Sequence, residues 1–192
     1  MQWTNTKRGY GIIARSLHGL MSVMLMIQLG IGMWMVGLPN EAKGSIYGNH
    51  KMFGLILLLL AVLRLSWRVF NKLPDLPIQT PKWQIFAARS LHRTFYLMML
   101  MIPVTGWVMS TAAGFLPSFP GLGEIAFPFF SDMGFCMADR CMALKSVGDL
   151  AHESHMILGY ITVLMILVHV SIATYHLYLK DGIFERMFFD RT

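Results

Sequence analysis

Four apolar segments, each long enough to cross a bilayer, constrain the fold of this chain more than any other feature. They run over residues 12–36, 50–70, 90–112 and 149–179, and a membrane-spanning helix needs about 20 predominantly apolar residues. Charged residues make up only 14% of the 192 residues, whereas a soluble domain has roughly 25%. The pattern predicts an all-α integral membrane protein, a single transmembrane domain folded in the lipid bilayer as a four-helix bundle with up-down topology.

The lysines and arginines are distributed unevenly between the two ends of the predicted bundle. Twelve lie in the N-terminal segment, in the link between the second and third spans with its helix ends, and in the C-terminal tail, whereas four (Lys43, Lys51, Arg140 and Lys145) lie on the other side. Because cytoplasmic segments carry the excess of positive charge, both termini are predicted to be cytoplasmic. The net charge of +6 then reflects topology, and no nucleic acid partner is expected.

The predicted outer loop, residues 113–148, is long for a helix bundle, whose connections usually hold about 2–8 residues. Its first half is apolar and interrupted by prolines and glycines, so we expect it to lie at the membrane interface or to cover the bundle. Its second half carries the two cysteines of the chain, Cys136 and Cys141. These cysteines either form a disulfide in an oxidising exterior or remain a pair of free thiols, and the sequence does not decide between the two.

Histidines at matched depths in the predicted spans indicate two metal centres. His155 and His169 are fourteen residues apart on the fourth span, which places both on one helix face, about 21 Å apart along the axis. His50 and His155 lie at the same predicted depth on the outer side, and His18 and His169 lie at the same predicted depth on the inner side. Two histidines that face each other on helices of a bundle can ligate a haem iron from both sides. The spacing therefore predicts two haems with four histidine ligands, and electron transfer as the function.

Small residues follow these four histidines at the same distance along the helix. The residues four positions on are Ser22, Gly54, Gly159 and Ala173. The other three histidines are followed at that distance by tyrosine, methionine or lysine. A porphyrin that lies against a helix needs a small residue one turn from its ligand, although helix–helix packing in membranes uses small residues as well.

Two further histidines are alternatives as haem ligands. His92 lies at the depth of His18 and competes with it as the partner of His169; otherwise it lies beside the inner haem, against a propionate or a quinone. His176 shares the helix face of His169, but it would lie about 31 Å from His155 along the axis, close to the aqueous edge.

Further polar residues are candidates for contacts to propionates or to a quinone. His152 lies about 60° off the ligand face, and it is either an interfacial polar residue or a propionate or proton-transfer group at the outer site. Arg64 follows His50 by fourteen residues and so reaches the depth of the inner haem, as a propionate partner or as an arginine that extends toward the interface. On the outer side, Lys51 and Arg140 are candidates for the same role.

Several short motifs accompany the histidines along nearly the whole chain. They are Tyr10-Gly-Ile-Ile-Ala-Arg-Ser-Leu-His18, His50-Lys-Met-Phe-Gly54, Leu63-Arg-Leu-Ser-Trp-Arg68, His92-Arg-Thr-Phe-Tyr96, Pro103-Val-Thr-Gly106, and His155 followed by His169 and His176. With them the chain resembles the bacterial cytochrome b561 family of four-helix di-haem proteins. The matching positions imply that the haem ligands are His18, His50, His155 and His169. The chain departs from the family in the extra His152, in a single His176 where relatives often have two adjacent histidines, and in the cysteines of the outer loop.

The resemblance implies a cytochrome of the bacterial inner membrane with two haem b groups, which moves single electrons between a periplasmic donor at the outer face and ubiquinone. One member type looks like a superoxide oxidase, and Lys51, Arg140 and Lys145 would then steer the superoxide anion, although nearby carboxylates weaken that field. The alternative is an anchor subunit that passes electrons between quinone and a partner dehydrogenase or hydrogenase. A histidine-lined metal transporter is disfavoured, because residues 156–168 between the two histidine depths are almost entirely apolar. The direction of electron flow and the oligomeric state, with a homodimer among the options, stay open.

Overall fold

Four long helices make up most of the structure, a computed structural model that describes residues 2–7, 9–75, 80–128 and 138–188, with the backbone alone at 40–43, 138–144 and 188. These helices are α1 (Ile12–Met35), α2 (Asn40–Phe70), α3 (Lys82–Ala112) and α4 (Ala138–Leu179). A short antiparallel hairpin of β1 (Ser118–Phe119) and β2 (Gly123–Glu124) precedes α4, and α5 (Glu185–Phe188) follows it. Each long helix contains a stretch apolar enough to cross a membrane. The predicted all-α membrane bundle is confirmed.

Prolines mark where two of the helices begin. Pro39 and Pro81 lie just before α2 and α3 in an extended conformation, with φ near −59° and −58°, and a proline at a helix start loses no hydrogen bond because the first N–H groups have no partner in the helix. Both helices begin before the predicted positions 50 and 90, and α4 begins at Ala138, inside the predicted loop 113–148. Polar residues that are compatible with a helix extend these helices beyond their apolar parts. The hydropathy of the sequence predicts only the apolar, membrane-spanning part of each helix.

Helices that are consecutive in the sequence pack against each other: α1 on α2, α2 on α3 and α3 on α4. The small buried core joins Met21 and Leu25 of α1 to Leu57 and Ala61 of α2 and to Met99 of α3. Large apolar side chains elsewhere on the long helices point outward and are exposed. Such a surface suits a bilayer, where lipid tails replace water around the bundle.

The described part of the outer loop, up to residue 128, is tied to the ends of α2 and α3. The indole Nε1 of Trp107 donates to the carbonyl of Ile125 (3.0 Å), and the N–H of Phe127 donates to Thr111 Oγ1 (3.0 Å). From α2, Lys51 Nζ donates to the carbonyl of Phe115 (2.8 Å). The loop therefore packs against the end of the bundle that holds His50.

At the opposite end, the segment before α1 meets the segment after α4. The N–H of Tyr10 donates to the carbonyl of Arg186 (3.3 Å), and the N–H of Asp75, in the link after α2, donates to the carbonyl of Lys7 (3.0 Å). The guanidinium of Arg186 also donates to the carbonyl of Asp75. The segments before α1 and after α4 therefore lie at one end of the bundle, as an up-down arrangement of four helices requires.

Candidate functional site

Two histidines face each other between α2 and α4, and we call them the His50 layer. The ring centres of His50 and His155 are 6.2 Å apart and their planes are inclined by 85°. The Nδ1 atom of His155 lies 2.8 Å from the carbonyl oxygen of Ile102 on α3. This contact occupies one ring nitrogen and leaves Nε2 free to bind another group. Histidines that bind metals are usually oriented by such a hydrogen bond from their second nitrogen.

A glycine on α3 makes this position of His155 accessible. A Cβ atom added to Gly106 would lie 2.9 Å from Cε1 of His155, which is closer than real Cβ contacts allow. The imidazole therefore packs directly on the α3 backbone, where it reaches the carbonyl of Ile102. The motif Pro103-Val-Thr-Gly106 thus supplies the surface against which His155 rests.

His50 is held differently, by residues of α1. The side-chain Nε2 of Gln28 donates to the backbone carbonyl of His50 (2.8 Å), and a Cβ atom on Gly32 would lie 3.3 Å from Cε1 of the His50 ring. The ring Nδ1 of His50 is buried and has no hydrogen-bond partner among the described residues.

An open cleft adjoins the His50 layer and is lined by residues of all four long helices. It has a volume of about 940 Å³, counting the space at its mouth, and a mostly apolar lining. His50, His155, His152 and Gly159 are among its lining residues, and a Cβ atom on Gly159 would meet nothing within 4 Å. A mostly apolar lining with a few polar groups, here the histidines, is typical of a site for a mainly apolar ligand.

The second group, which we call the His18 layer, consists of His18, His92 and His169. The ring centres of His18 and His169 are 6.5 Å apart, and those of His92 and His169 are 5.5 Å apart. His92 Nδ1 lies 2.7 Å from the carbonyl oxygen of Ala88. Nδ1 of His18 lies 3.1 Å from Ser22 Oγ.

Two arginines of α2 lie at the His18 layer. Arg64 NH1 is 3.1 Å from His18 Nδ1, and the guanidinium groups of Arg64 and Arg68 lie 5.8 and 5.4 Å from the ring centre of Tyr96. Contacts of this kind are cation–π interactions. No carboxylate of the described residues lies within ion-pair distance of either guanidinium. The layer therefore carries a concentration of positive charge that an anionic ligand would balance.

The structure brings together the histidines that the sequence paired, His50 with His155 and His18 with His169. The sequence did not indicate every residue that contacts them. Gln28, Gly32 and Arg68 were missed as site residues. Arg68 ends the motif Leu63-Arg-Leu-Ser-Trp-Arg68 and follows Arg64 by one helical turn. This spacing indicates that the two arginines lie on the same helix face. The small residues that follow these histidines serve different purposes. Ser22 contacts His18, and Gly54 leaves room for Gln28, whose Nε2 would lie 3.7 Å from a Cβ at that position.

The remaining predicted residues lie around the edges of the two layers. His152 is largely exposed beside the cleft and lies 3.9 Å from Glu153. His176 contacts Asp181 (2.5 Å). Lys51 contacts Phe115. The side chains of Arg140 and Cys141, and all of Cys136, lie outside the described residues.

Known proteins are similar to this chain along almost its whole length. The family model for prokaryotic cytochrome b561 matches residues 9–190. The chain belongs to the prokaryotic cytochrome b561 family. A protein described as cytochrome b561 homolog 2, from Escherichia coli (strain K12), is 30% identical over 192 residues, covering 97% of this chain and 95% of the relative. The predicted family is confirmed, and this cytochrome b561 is a membrane b-type cytochrome of electron transfer with haem b as its cofactor.

Both histidine pairs fit the family's cofactor. A first-row metal ion holds an imidazole nitrogen at about 2 Å, and the ring centre lies roughly 1 Å beyond it, so imidazoles on opposite sides of one ion have centres about 6 Å apart. The separations of 6.2 and 6.5 Å agree with this value. Among the described residues, no group of three or more histidine, cysteine or acidic side chains is arranged around one metal ion. Paired imidazoles without further protein ligands suit an iron whose other positions are filled by a porphyrin.

Proposed function

We propose that this cytochrome holds two haem b groups in the bacterial inner membrane, one between His50 and His155 and one between His18 and His169. The observation that carries the proposal is the presence of two facing imidazole pairs, 6.2 and 6.5 Å apart between ring centres, at two depths of one bundle. Fourteen residues of α4 separate the depths, about 21 Å along the helix. Haem b supplies one-electron redox chemistry when bound.

A residue of α3 orients one of the proposed ligands. His155 donates its second ring N–H to Ile102, which fixes the tautomer that leaves Nε2 for iron. Residues 156–168 of α4, between the two histidine depths, are almost entirely apolar, which supports electron transfer over metal transport.

Arg64 and Arg68 are the proposed partners of the propionates at the His18 layer. These two residues are one helical turn apart on α2, and both guanidinium groups lie near the Tyr96 ring. Neither has a carboxylate partner among the described side chains. Arginine presents several N–H donors in a planar arrangement that matches a carboxylate. An anionic propionate would draw Arg64 away from Nδ1 of His18 and leave that nitrogen to Ser22.

The excess of lysine and arginine at the His18 end supports a cytoplasmic position for that end and for both termini. The His50 layer then faces the periplasm. There we propose that superoxide is the electron donor and that ubiquinone is the acceptor. Two superoxide anions each give up one electron and leave as dioxygen, and ubiquinone takes up two electrons and two protons to form ubiquinol.

Positive groups near the His50 layer support an anionic donor. Lys51 is next to His50 in the sequence, and its ammonium group lies at the outer loop, where it donates to the carbonyl of Phe115. Lys43, Arg140 and Lys145 are the other positive residues on that side. For the quinone, His92 at the His18 layer and His152 at the cleft are the candidate contacts. Alanine substitution of each, compared by the KM for ubiquinone, assigns the site: the residue whose loss raises KM lies beside the quinone.

The test is stopped-flow absorbance of the purified protein after a pulse of superoxide, followed by addition of ubiquinone. We expect haem reduction faster than the background reaction and reoxidation by quinone. Lys51→Gln is expected to slow the reduction, with a weaker dependence on salt than in the parent protein. A protein with full haem content that superoxide does not reduce overturns the donor. A dehydrogenase or hydrogenase subunit that co-purifies and reduces the haems with its own substrate establishes the anchor function instead.

A further inference from the structure

Gln28 is a polar side chain in the apolar helix α1, and it is only 7% exposed. A buried amide without a hydrogen-bond partner is costly, so its position within a membrane span requires a specific contact. Its Nε2 donates to the backbone carbonyl of His50 at 2.8 Å. The buried amide of α1 is therefore attached to the residue that we propose as a haem ligand on α2.

Two glycines allow α1 to approach His50 this closely. In α2 the regular partner of the His50 carbonyl is the N–H of Gly54, four residues later, and a carbonyl oxygen can accept a second hydrogen bond. Gly54 has no side chain in the way of Gln28. One turn further along α1, Gly32 lies against the His50 ring, since a Cβ there would be 3.3 Å from Cε1. A single face of α1 thus contacts both the backbone and the ring of His50.

The ring of His50 lacks the anchor that orients His155. Its Nδ1 is buried without a hydrogen-bond partner among the described residues, whereas Nδ1 of His155 has the Ile102 carbonyl. Metal-bound histidines are normally oriented through that second nitrogen. His50 therefore needs another source of orientation, and the contacts from α1 are the ones present.

We propose that Gln28 is a positioning residue for the haem of the His50 layer. Through its hydrogen bond to the His50 carbonyl it fixes the depth and rotation of α2 at the ligand, while Gly32 limits the rotation of the ring. This inference rests on the proposed ligation of iron by His50. It predicts that changes at Gln28 affect one haem and leave the other unaffected.

The experiment compares Gln28→Met, which keeps side-chain length without the donor, with Gln28→Asn, which keeps the amide but is one methylene shorter. The matched control is Thr162→Val, which removes a fully buried hydroxyl that has no hydrogen-bond partner among the described residues. Each variant is examined by electron paramagnetic resonance of the oxidised haems and by the rate of haem transfer to apomyoglobin. A third variant, Gly32→Ala, perturbs His50 from the ring side.

We expect Gln28→Met, Gln28→Asn and Gly32→Ala to shift the same one of two low-spin signals. Haem loss from that site should accelerate about two- to tenfold in the Gln28 variants, the effect of one neutral hydrogen bond. Thr162→Val should leave both signals and both rates unchanged. Unchanged signals in Gln28→Met, or equal shifts of both haems, overturn the role of Gln28.

A parallel His50→Ala variant separates this inference from the proposed function. If His50→Ala retains two haems, the ligation by His50 is wrong and the role of Gln28 fails with it. If His50→Ala loses one haem while Gln28→Met behaves like the parent protein, the ligation stands and only the positioning role is overturned.

Discussion

His155 packs so closely on Gly106 that a Cβ atom on the glycine would lie 2.9 Å from Cε1 of the imidazole. The contact makes α3, which supplies no proposed ligand, part of the His50 layer. It brings the ring within 2.8 Å of the Ile102 carbonyl, and this hydrogen bond determines which nitrogen of His155 is available to a metal.

The substitution Gly106→Ala should therefore disrupt the haem of the His50 layer alone. The added methyl group displaces the His155 ring, because overpacking in a tight contact forces neighbouring groups to move. We expect the pyridine haemochrome assay to fall from two haems per chain toward one. Gly30→Ala is the matched control, since a Cβ at Gly30 meets nothing within 4 Å. Two haems with parental spectra in Gly106→Ala would show that His155 does not bind iron in this position.

A second prediction concerns the partner of His169. The ring centres of His18 and His169 are 6.5 Å apart and those of His92 and His169 are 5.5 Å apart, so both separations lie near the value of about 6 Å expected for two imidazoles on one metal ion. The choice of His18 therefore rests on the small residue one turn after it, Ser22, where His92 is followed by the bulky Tyr96. We expect His18→Ala to lose one haem and His92→Ala to retain both. Haem quantification of the two variants, side by side, checks this. The reverse result assigns the ligand to His92.

The sequence contained enough to predict the bundle and the two histidine pairs. Apolar length sets the number of spans, and the fourteen-residue spacing of His155 and His169 sets two depths on one helix; both are local properties that helix geometry converts directly into positions. The contacts of Gln28 and Gly32 depend instead on how α1 is rotated and shifted against α2. A glutamine and a glycine in an apolar helix do not reveal that relationship, because the same residues serve ordinary helix packing.

The residues at which the helices begin could not be predicted from hydropathy either. α4 begins at Ala138, whereas the predicted span begins at residue 149. The intervening segment contains charged residues, which end a hydrophobic segment but are compatible with a helix. Predicted spans therefore mark the membrane part of a helix, and only its backbone hydrogen bonds define its full length.

A third prediction concerns the charge at the His18 layer. Replacing Arg68 with glutamine removes a positive charge without touching His18. A unit charge near a partly buried redox centre is worth roughly 1–2 kcal/mol, or about 40–90 mV for a one-electron couple. Because a positive charge favours the reduced form, we expect a redox titration of Arg68→Gln to show one of two midpoint potentials lowered by that amount.

Arg93→Gln is the control for this titration, since Arg93 is exposed on α3 at the same end of the bundle. It should leave both potentials within a few millivolts of the parent values. Equal effects of the two substitutions would mean that Arg68 acts only through the general surface charge and does not lie beside a haem.

The last prediction concerns the end of α4, where His176 lies 2.5 Å from Asp181 and the N–H of Ile183 donates to the same carboxylate (3.0 Å). Burial alone would raise the pKa of Asp181, but these two hydrogen bonds outweigh it and hold the pKa below its ordinary value of 3.8. A carboxylate whose pKa is lowered by folding stabilises the folded state above its unfolded pKa, and this contribution is lost as the pH falls through the folded pKa. The segment after α4 should therefore loosen in acid and remain ordered at neutral pH.

Asp181→Asn removes the charge at neutral pH and should reproduce the acid effect. We expect amide hydrogen exchange in residues 180–187 to accelerate about two- to fivefold, since one hydrogen bond is worth roughly 0.5–1 kcal/mol. Asp149→Asn, an exposed aspartate at the other end of α4, should leave this exchange unchanged. The haem content should stay at the parental value in both variants, because His176 binds Asp181 and belongs to neither histidine layer. Loss of a haem in Asp181→Asn would instead connect His176 to the His18 layer and reopen its candidacy as a ligand.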